Sequence, residues 1–248
     1  MLAAGNAPAM SEVVFLLDVD NTLLDNDRFN ADLSLRLEQD FGAAGRDRYW
    51  ALYARLREEL GYADYLGALQ LFGAGLDCDP EFLQMSAFLL DYPFAQRLYP
   101  RALEVIAHLR TLGLPVVLSD GDAVFQPRKV QRSGIADAVA GRVLIPQHKQ
   151  LAIAVMQKRY PAMHYVMIDD KPQLLSAMKQ VLGAKLTTVF VHQGHYAAES
   201  AGALIDLAPD LNIKRVSDLI AFNLSHFPGA APSHEVVLEP ENSSQERA

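Results

Sequence analysis

Cysteine is almost absent from this sequence of 248 residues, which contains only Cys78. A single cysteine cannot form a disulfide within the chain, and low cysteine usage is typical of proteins from a reducing compartment. The sequence also has no apolar run near the roughly 18 residues that a membrane-spanning helix needs. Its first ten residues have neither the basic segment nor the long apolar stretch of a signal peptide. We therefore expect a cytoplasmic protein with no membrane partner.

Basic side chains are in the minority, with 22 Lys and Arg against 30 Asp and Glu and a net charge of −8. Because proteins bind nucleic-acid backbones with a surplus of Lys and Arg, we expect no nucleic-acid partner. Half of the residues are hydrophobic, which is typical of a globular chain and excludes a largely disordered one. The length allows either one large domain or a core with a smaller module.

Short apolar segments alternate with helical segments over most of the chain. The first, at residues 13–17 (VVFLL), is continuously apolar, as expected for a strand that is buried on both faces. This alternation predicts an α/β fold, with a Rossmann-like parallel sheet and helices on both faces. A last helix is expected to begin at Ser217 and to end near residue 225. The other predicted strands lie at residues 115–118, 142–145, 165–168 and 186–191.

One segment shows helical periodicity only. Leu33, Leu37 and Phe41 recur every four residues, and Asp79 followed by Pro80 is typical of the start of a helix. We expect about four helices here, forming a cap domain that is inserted into the α/β core. The expected organisation is a core at residues 11–25 and 98–226, the helical insert at 26–97, and disordered tails at 1–10 and 227–248.

Polar side chains follow three of the predicted strands. The first strand is followed by Asp18 and Asp20, another by Ser119, Asp120 and Gly121, and a third ends at Asp169 and Asp170. Ligands of open parallel sheets bind beyond the carboxyl ends of the strands, so these side chains would meet if the strands are neighbours. Clustered carboxylates repel one another. A bound Mg²⁺, with Lys149 as a second cation, would offset that repulsion.

Each of these features has an ordinary structural explanation when it is taken alone. Asp and Ser after a strand often form turns or cap helices, and a lysine near a helix start commonly faces solvent. The ordered combination, at three strand ends, is what favours a functional site.

This combination resembles the haloacid dehalogenase superfamily, specifically its phosphatase-like members, over about residues 13–191. The resemblance rests on residues 15–23 (FLLDVDNTL), residues 116–121 (VVLSDG), Lys149, and residues 166–170 (VMIDD). The helical insert is similar to the C1 cap of that superfamily. The resemblance implies a Mg²⁺-dependent phosphomonoester hydrolase that acts on a small phosphorylated metabolite.

The resemblance also implies roles for individual residues. Asp18 would be the nucleophile that forms an aspartyl-phosphate, and Asp20 would be the general acid and base. Ser119 and the backbone amides of Asp120 and Gly121 would bind the phosphoryl oxygens. Lys149 would bind both the phosphate and the charge of the nucleophile. The metal would be held by Asp18, Asp20 through its backbone carbonyl, Asp169 and, from close by, Asp170.

Several alternatives stay open at this point. Asp120 stands where a neutral residue is more usual, and it would repel phosphate unless it turned away or paired with a cation. Lys129 competes with Lys149 for the third motif, and Lys171 could also reach the site. A phosphotransferase or mutase would use the same intermediate, and a catalytically weak binding protein could share the fold. Asp20 argues against carbon–halogen cleavage, because a halide leaves without a proton. The sequence leaves the oligomeric state open.

Overall fold

The computed structural model describes residues 9–76, 79–199 and 205–230, without the side chains of residues 150 and 151. Cys78 and most of both predicted tails lie outside the described residues. Within these residues, six strands form one parallel sheet in the order β3-β2-β1-β4-β5-β6. The predicted Rossmann-like α/β fold is therefore confirmed. The strands are β1 (Ser11–Leu17), β2 (Leu114–Leu118), β3 (Val143–Leu144), β4 (Ala162–Asp169), β5 (Leu186–Val191) and β6 (Leu211–Ile213).

The first strand lies in the middle of the sheet, between β2 and β4. Leu17, its last residue, is in register with Val117 on one side and Ile168 on the other. Its apolar side chains point alternately into two separate clusters, one on each face of the sheet, which explains the uninterrupted apolar run. The register brings the carboxyl ends of β1, β2 and β4 side by side.

Helices cover both faces of this sheet. On one face, Val105 and Ile106 pack into the larger apolar cluster, and on the other Met156 and Met178 pack into the smaller one. A parallel sheet of apolar strands needs helices on both faces, because both faces are apolar and must be shielded from water. The helices of the core are α4 (Ala102–Leu112), α5 (Phe125–Arg132), α6 (Ile135–Ala138), α7 (Ile153–Arg159), α8 (Pro172–Leu182) and α9 (Gly194–Glu199).

The described part of the helical insert, at residues 26–97, contains three α-helices: α1 (Asn26–Leu60), α2 (Tyr65–Phe72) and α3 (Pro80–Asp91), followed by a 3₁₀ turn at Phe94–Arg97. Gly42 divides α1 into two parts, because its backbone is non-helical at φ 72° and ψ 175°. The side chain of Asp79 caps α3 by accepting a hydrogen bond from the backbone N–H of Phe82 at 2.9 Å.

The chain enters and leaves this helical insert through two adjacent backbone segments. Leu24 and Leu98 form an antiparallel bridge. The N–H of Asp25 donates to the carbonyl of Arg97 at 2.7 Å, and the N–H of Tyr99 donates to the carbonyl of Leu23 at 2.9 Å. The insert is therefore attached directly beside the end of β1.

The structure corrects the sequence-based expectations near the end of the chain. The expected helix from Ser217 is instead two 3₁₀ segments, Val216–Ala221 and Leu224–His226. The three-residue strand β6 and the six-residue helix α9 were missed, because such short elements show no clear periodicity. Phe227, placed in the expected tail, is 1% exposed and packs on Phe15 with ring centroids 5.4 Å apart. Packed structure thus continues past residue 226.

Among the described residues, no helix combines the length and the apolar character that crossing a membrane requires.

Candidate active site

Three acidic side chains meet at the carboxyl ends of the central strands. Asp18 follows β1 directly, Asp169 ends β4, and Asp170 comes next. All three are almost completely buried, and each offers a carboxylate oxygen within 4.8 Å of the others. Close packing of three carboxylates is unfavourable unless cations balance them.

Lys149 supplies one of these cations. Its Nζ lies 2.5 Å from Oδ1 of Asp18 and 2.7 Å from Oδ2 of Asp169, and its side chain is fully buried. Burial alone would lower the pKa of Lys149, but Asp169, Asp18 and Asp120 together hold it well above its ordinary value. The lysine is therefore a fixed positive charge beside the predicted nucleophile.

The acidic cluster also has oxygens that this lysine does not satisfy. Oδ2 of Asp18 and both oxygens of Asp170 are buried and accept no hydrogen bond from the described residues. Burial, with Asp169 and Asp18 adding to it, raises the pKa of Asp170 to about 9. Burial also raises the pKa of Asp18 to about 7, although Lys149 opposes this shift. Buried, unpartnered carboxylate oxygens are the donor set that a hard divalent cation prefers, so these residues fit Mg²⁺.

Asp120 is paired with cations. Its Oδ1 lies 3.3 Å from Nζ of Lys149, and its Oδ2 lies 3.8 Å from Nζ of Lys171. Although burial opposes it, the attraction of Lys149 and Lys171 lowers the pKa of Asp120 below its ordinary value. Lys171 therefore reaches the site, and it forms part of the charge balance around Asp120.

Gly121 occupies the turn after β2 with a φ of 155°, in a region that side chains rarely adopt. A Cβ at this position would lie 2.9 Å from Cβ of Gln126. The turn thus requires glycine where the sequence predicted a phosphate-binding amide.

Lys129 binds a different carboxylate from Lys149. Its Nζ lies 2.8 Å and 2.9 Å from the two carboxylate oxygens of Asp20, and 2.9 Å from Oδ1 of Asn26. The two lysines therefore do not compete for one position. Lys149 binds Asp18, and Lys129 binds Asp20.

Four aromatic rings surround the ammonium group of Lys129. Its Nζ is 5.4 to 5.8 Å from the ring centroids of Phe29, Tyr65, Phe94 and Phe125. Cation–π attraction of this kind partly replaces the water that a fully buried ammonium loses. Three of the four rings belong to the helical insert, so the insert helps to fix a charge beside Asp20.

Gln126 was not singled out from the sequence. Its Nε2 donates to Oγ of Ser119 at 3.0 Å and to Oδ2 of Asp20 at 3.2 Å. Oγ of Ser119 in turn donates to Oδ1 of Asp18 at 3.3 Å. Gln126 precedes Lys129 by three residues, which places both on one face of α5 near the end of β2. That spacing indicates a shared helix face, but it does not indicate which side chains the face contacts.

A second group of residues connects α9 to the first turn of α1. Asp27 accepts a hydrogen bond from the N–H of His195 at 2.8 Å, and its Oδ1 lies 2.5 Å from Nδ1 of the same histidine. Asn21 donates to Oδ1 of Asp27 at 3.0 Å. Gly194, with a φ of 70°, lets the chain approach Asn21 closely, because a Cβ there would lie 2.4 Å from Cβ of Asn21. No sequence motif links Asp27 to His195, and the two residues are 168 positions apart in the sequence.

A cleft opens at this edge of the sheet and encloses about 580 Å³ of empty space, part of it open to solvent. Its walls come from both the core and the helical insert. Asp18, Asp20 and Ser119 line it together with Tyr53 and Tyr65 of the insert.

Comparison with known proteins agrees with this architecture. The family model of haloacid dehalogenase-like hydrolases matches residues 13–181. The chain therefore belongs to the haloacid dehalogenase-like hydrolases and is an enzyme of that family. Among curated proteins, none matches the sequence.

Solved structures show the same relationship. A haloacid dehalogenase-like hydrolase from Burkholderia xenovorans LB400 is 52% identical, with a TM-score of 0.80 over 86% of this chain and 99% of that chain. YfnB from Bacillus subtilis, described as a HAD-hydrolase bound to magnesium, is 14% identical, with a TM-score of 0.54 over 85% and 97%. A 2-haloacid dehalogenase from Pseudomonas syringae is 18% identical, with a TM-score of 0.54 over 84% and 96%. The last two similarities concern the fold alone.

Proposed function

We propose that this enzyme is a Mg²⁺-dependent phosphomonoester hydrolase that acts on a small phosphorylated metabolite through an aspartyl-phosphate on Asp18. The observation that carries this proposal is the presence of two carboxylates in one cleft, Asp18 and Asp20, each bound to its own lysine. Cleavage of a phosphate ester needs both a nucleophile and an acid for the leaving oxygen. Carbon–halogen cleavage needs no such acid, because a halide leaves as a stable anion.

The nucleophile is oriented from two sides. Lys149 and Ser119 both donate to Oδ1 of Asp18, which limits rotation of the carboxylate. In the proposed reaction Asp20 starts in its protonated form. The Asp18 carboxylate attacks phosphorus, and the bond to the leaving oxygen breaks as Asp20 gives that oxygen its proton. Asp20 then takes a proton from the water that hydrolyses the aspartyl-phosphate. Lys149, Ser119 and the amides of Asp120 and Gly121 would hold the phosphoryl oxygens.

The balance of charges supports a divalent cation in this mechanism. Among the described residues, five acidic side chains line or adjoin the site. With all five ionised, the three lysines that pair with them would leave two negative charges uncompensated. Asp18, Asp169, Asp170 and the backbone carbonyl of Asp20 would hold the ion. When bound, Mg²⁺ would reduce the repulsion between the nucleophile and the phosphate dianion. The magnesium described for YfnB, which shares the fold, supports this choice of ion.

The cleft also supports a small substrate. It is lined by residues of both the core and the insert, among them Tyr53, Tyr65 and Ser119. The helical insert forms part of its wall, so a folded phosphoprotein would have difficulty reaching Asp18.

Phosphate release from a panel of phosphorylated metabolites tests the proposal, with halide release from 2-haloacids measured in parallel. We expect phosphate release that requires Mg²⁺, is abolished by EDTA, and is lost in Asp18→Asn. Asp20→Asn should lose turnover while calorimetry still detects Mg²⁺ binding. Halide release without phosphate release would overturn the proposal, and an isomerised phosphoester as the main product would identify a phosphotransferase instead.

A further inference from the structure

Two positively charged side chains lie over the ring of Tyr196 in the same cleft. Cζ of Arg57 is 5.5 Å from the centroid of the ring, and Nζ of Lys171 is 5.1 Å from it. All three residues line the cleft that contains Asp18. Arg57 belongs to α1 of the insert, whereas Lys171 and Tyr196 belong to the core. The cluster therefore spans both parts of the protein.

The positive charge of this cluster is only partly compensated. Within the described residues, Arg57 forms no ion pair, and the acidic partner of Lys171 is Asp120 at the long distance of 3.8 Å. Among the described residues of the insert, none that lines the cleft is acidic. A guanidinium that lies over an aromatic face keeps its N–H groups available at its edge, where they can bind an oxyanion in a bidentate manner.

The position of Tyr196 is fixed by several contacts. Its neighbour His195 is held by Asp27 through the backbone N–H and the ring Nδ1. The ring of His195 packs on Tyr196 with centroids 3.9 Å apart. Gly194 allows this segment to approach Asn21. The ring of Tyr196, which both Arg57 and Lys171 approach, is therefore held in place as part of the cleft wall.

We infer that Arg57, Lys171 and Tyr196 form a subsite for a second anionic group of the substrate, a carboxylate or a second phosphate. This inference rests on the proposed phosphatase function and specifies its substrate class. The reacting phosphate binds at Asp18, Ser119 and Lys149, and the second anion binds at the cations beside Tyr196. Because these two cations come from the insert and from the core, a doubly anionic substrate also holds the two parts of the protein together around the cleft.

Pairs of esters that differ in one anionic group test this inference. One series consists of ω-phosphonooxy carboxylates beginning with 2-phosphoglycolate, and each member is paired with the alcohol of equal chain length, beginning with 2-hydroxyethyl phosphate. A second series consists of bisphosphates of linear diols, each paired with its monophosphate. The first series tests a carboxylate as the second anion, and the second series tests a phosphate. The measured quantity is the ratio of kcat/KM within each pair.

In the wild-type enzyme we expect at least one charged ester to exceed its neutral partner about tenfold or more, which corresponds to about 1.4 kcal/mol. Arg57→Gln should reduce this ratio to near one, mainly through KM of the charged ester. Arg55→Gln is the matched control, because Arg55 lies on the same helix, is exposed, and pairs with Glu59 at 3.7 Å. It should keep the wild-type ratio.

Two results would overturn the inference while leaving the proposed function intact. One is a ratio near one in the wild type for every pair in both series, despite hydrolysis of the neutral esters. The other is an equal loss for charged and neutral esters in Arg57→Gln. Absence of phosphate release from all esters, neutral ones included, would instead refute the proposed function and the subsite with it.

Discussion

Lys129 binds both carboxylate oxygens of Asp20, at 2.8 Å and 2.9 Å, from a position that solvent does not reach. Asn26 accepts a third hydrogen bond from the same ammonium group at 2.9 Å. Removing a buried cation from such a network leaves Asp20 without its main orienting contact. Lys129 is thus expected to act as a positioning residue for the proposed acid, without contacting the substrate.

Substitution Lys129→Met tests this role. The change keeps an unbranched apolar side chain in the aromatic surroundings but removes the contact with Asp20. We expect kcat for an alkyl phosphate to fall by about tenfold or more, because general acid catalysis typically contributes 10² to 10⁴-fold. The loss for p-nitrophenyl phosphate should be smaller, since p-nitrophenolate leaves readily without a proton. Steady-state kinetics with both esters gives the comparison.

Two further variants separate positioning from mere stability. Lys179→Met removes a lysine that binds Asp210 away from the cleft, and it should affect both esters equally or not at all. Lys149→Met should weaken binding of phosphate for both esters, because Lys149 contacts Asp18. An equal loss for the two esters in Lys129→Met would show that Lys129 supports only the fold.

The strand ends illustrate what the sequence alone can predict. Continuous apolar segments that run into Asp18, Ser119 and Asp169 indicate both a parallel sheet and the edge where ligands bind. The structure gives the register and places these residues side by side. The predicted fold was correct because this information is local to each strand.

The contacts of Lys129 and His195 illustrate what could not be predicted. Lys129 and Asp20 are 109 residues apart, and Asp27 and His195 are 168 apart. No local sequence pattern indicates which side chains will meet when distant segments pack together, as α5 and α9 do here. A lysine on an amphipathic helix normally faces solvent. The sequence therefore offered Lys129 only as an alternative to Lys149, and it gave no indication that each lysine binds a different carboxylate.

Substitution of Asp170 should remove most of the stabilisation that Mg²⁺ binding gives the protein. Both oxygens of Asp170 are buried without a hydrogen-bond partner among the described residues, and Asp169 and Asp18 lie beside them. We expect saturating Mg²⁺ to raise the Tm of the wild type by several degrees, because a ligand at 100 times its Kd adds about 2.7 kcal/mol of stability. In Asp170→Asn this increase should be mostly lost, while the metal-free Tm stays the same or rises.

Thermal unfolding with EDTA and with Mg²⁺ measures both effects. Asp137→Asn, which changes an exposed carboxylate on α6, serves as the control and should retain the full increase in Tm. A wild-type increase that persists in Asp170→Asn would remove Asp170 from the metal site.

The packing of Phe227 predicts that the end of the described chain contributes to stability. Phe227 is buried between Phe15 and Phe222, with ring centroids 5.4 Å and 5.7 Å away. We expect Phe227→Ala to lower the free energy of unfolding by about 3 kcal/mol or more, as is typical of a buried Phe→Ala change. Urea unfolding measures this loss. Val181→Ala, at a position that is 64% exposed, should cost less than about 0.5 kcal/mol. Similar small losses in both variants would place Phe227 outside the core.

His164 predicts how stability depends on pH. Its Nε2 lies 2.8 Å from Oγ1 of Thr187, and that hydroxyl donates to the carbonyl of Pro228, so the histidine donates to Thr187 in its neutral form. Burial, aided by Lys179, lowers the pKa of His164 below its ordinary value of 6.5. A lowered pKa in the folded state means that the unfolded chain binds the proton more readily. The contribution of His164 to stability is therefore complete above pH 6.5, and it is lost as the pH falls through the folded-state pKa.

We expect His164→Gln to flatten this dependence, because glutamine can still donate to Thr187 but does not titrate. The measurement is urea unfolding of the wild type and the variant between pH 7.5 and pH 5. Carboxylates contribute equally to the pH dependence of the free energy of unfolding in both proteins, so the difference reports His164. The wild type should lose more stability than the variant over this interval. Equal losses in the two proteins would show that the pKa of His164 is the same in the folded and the unfolded chain. Its burial beside Thr187 would then have no effect on that pKa.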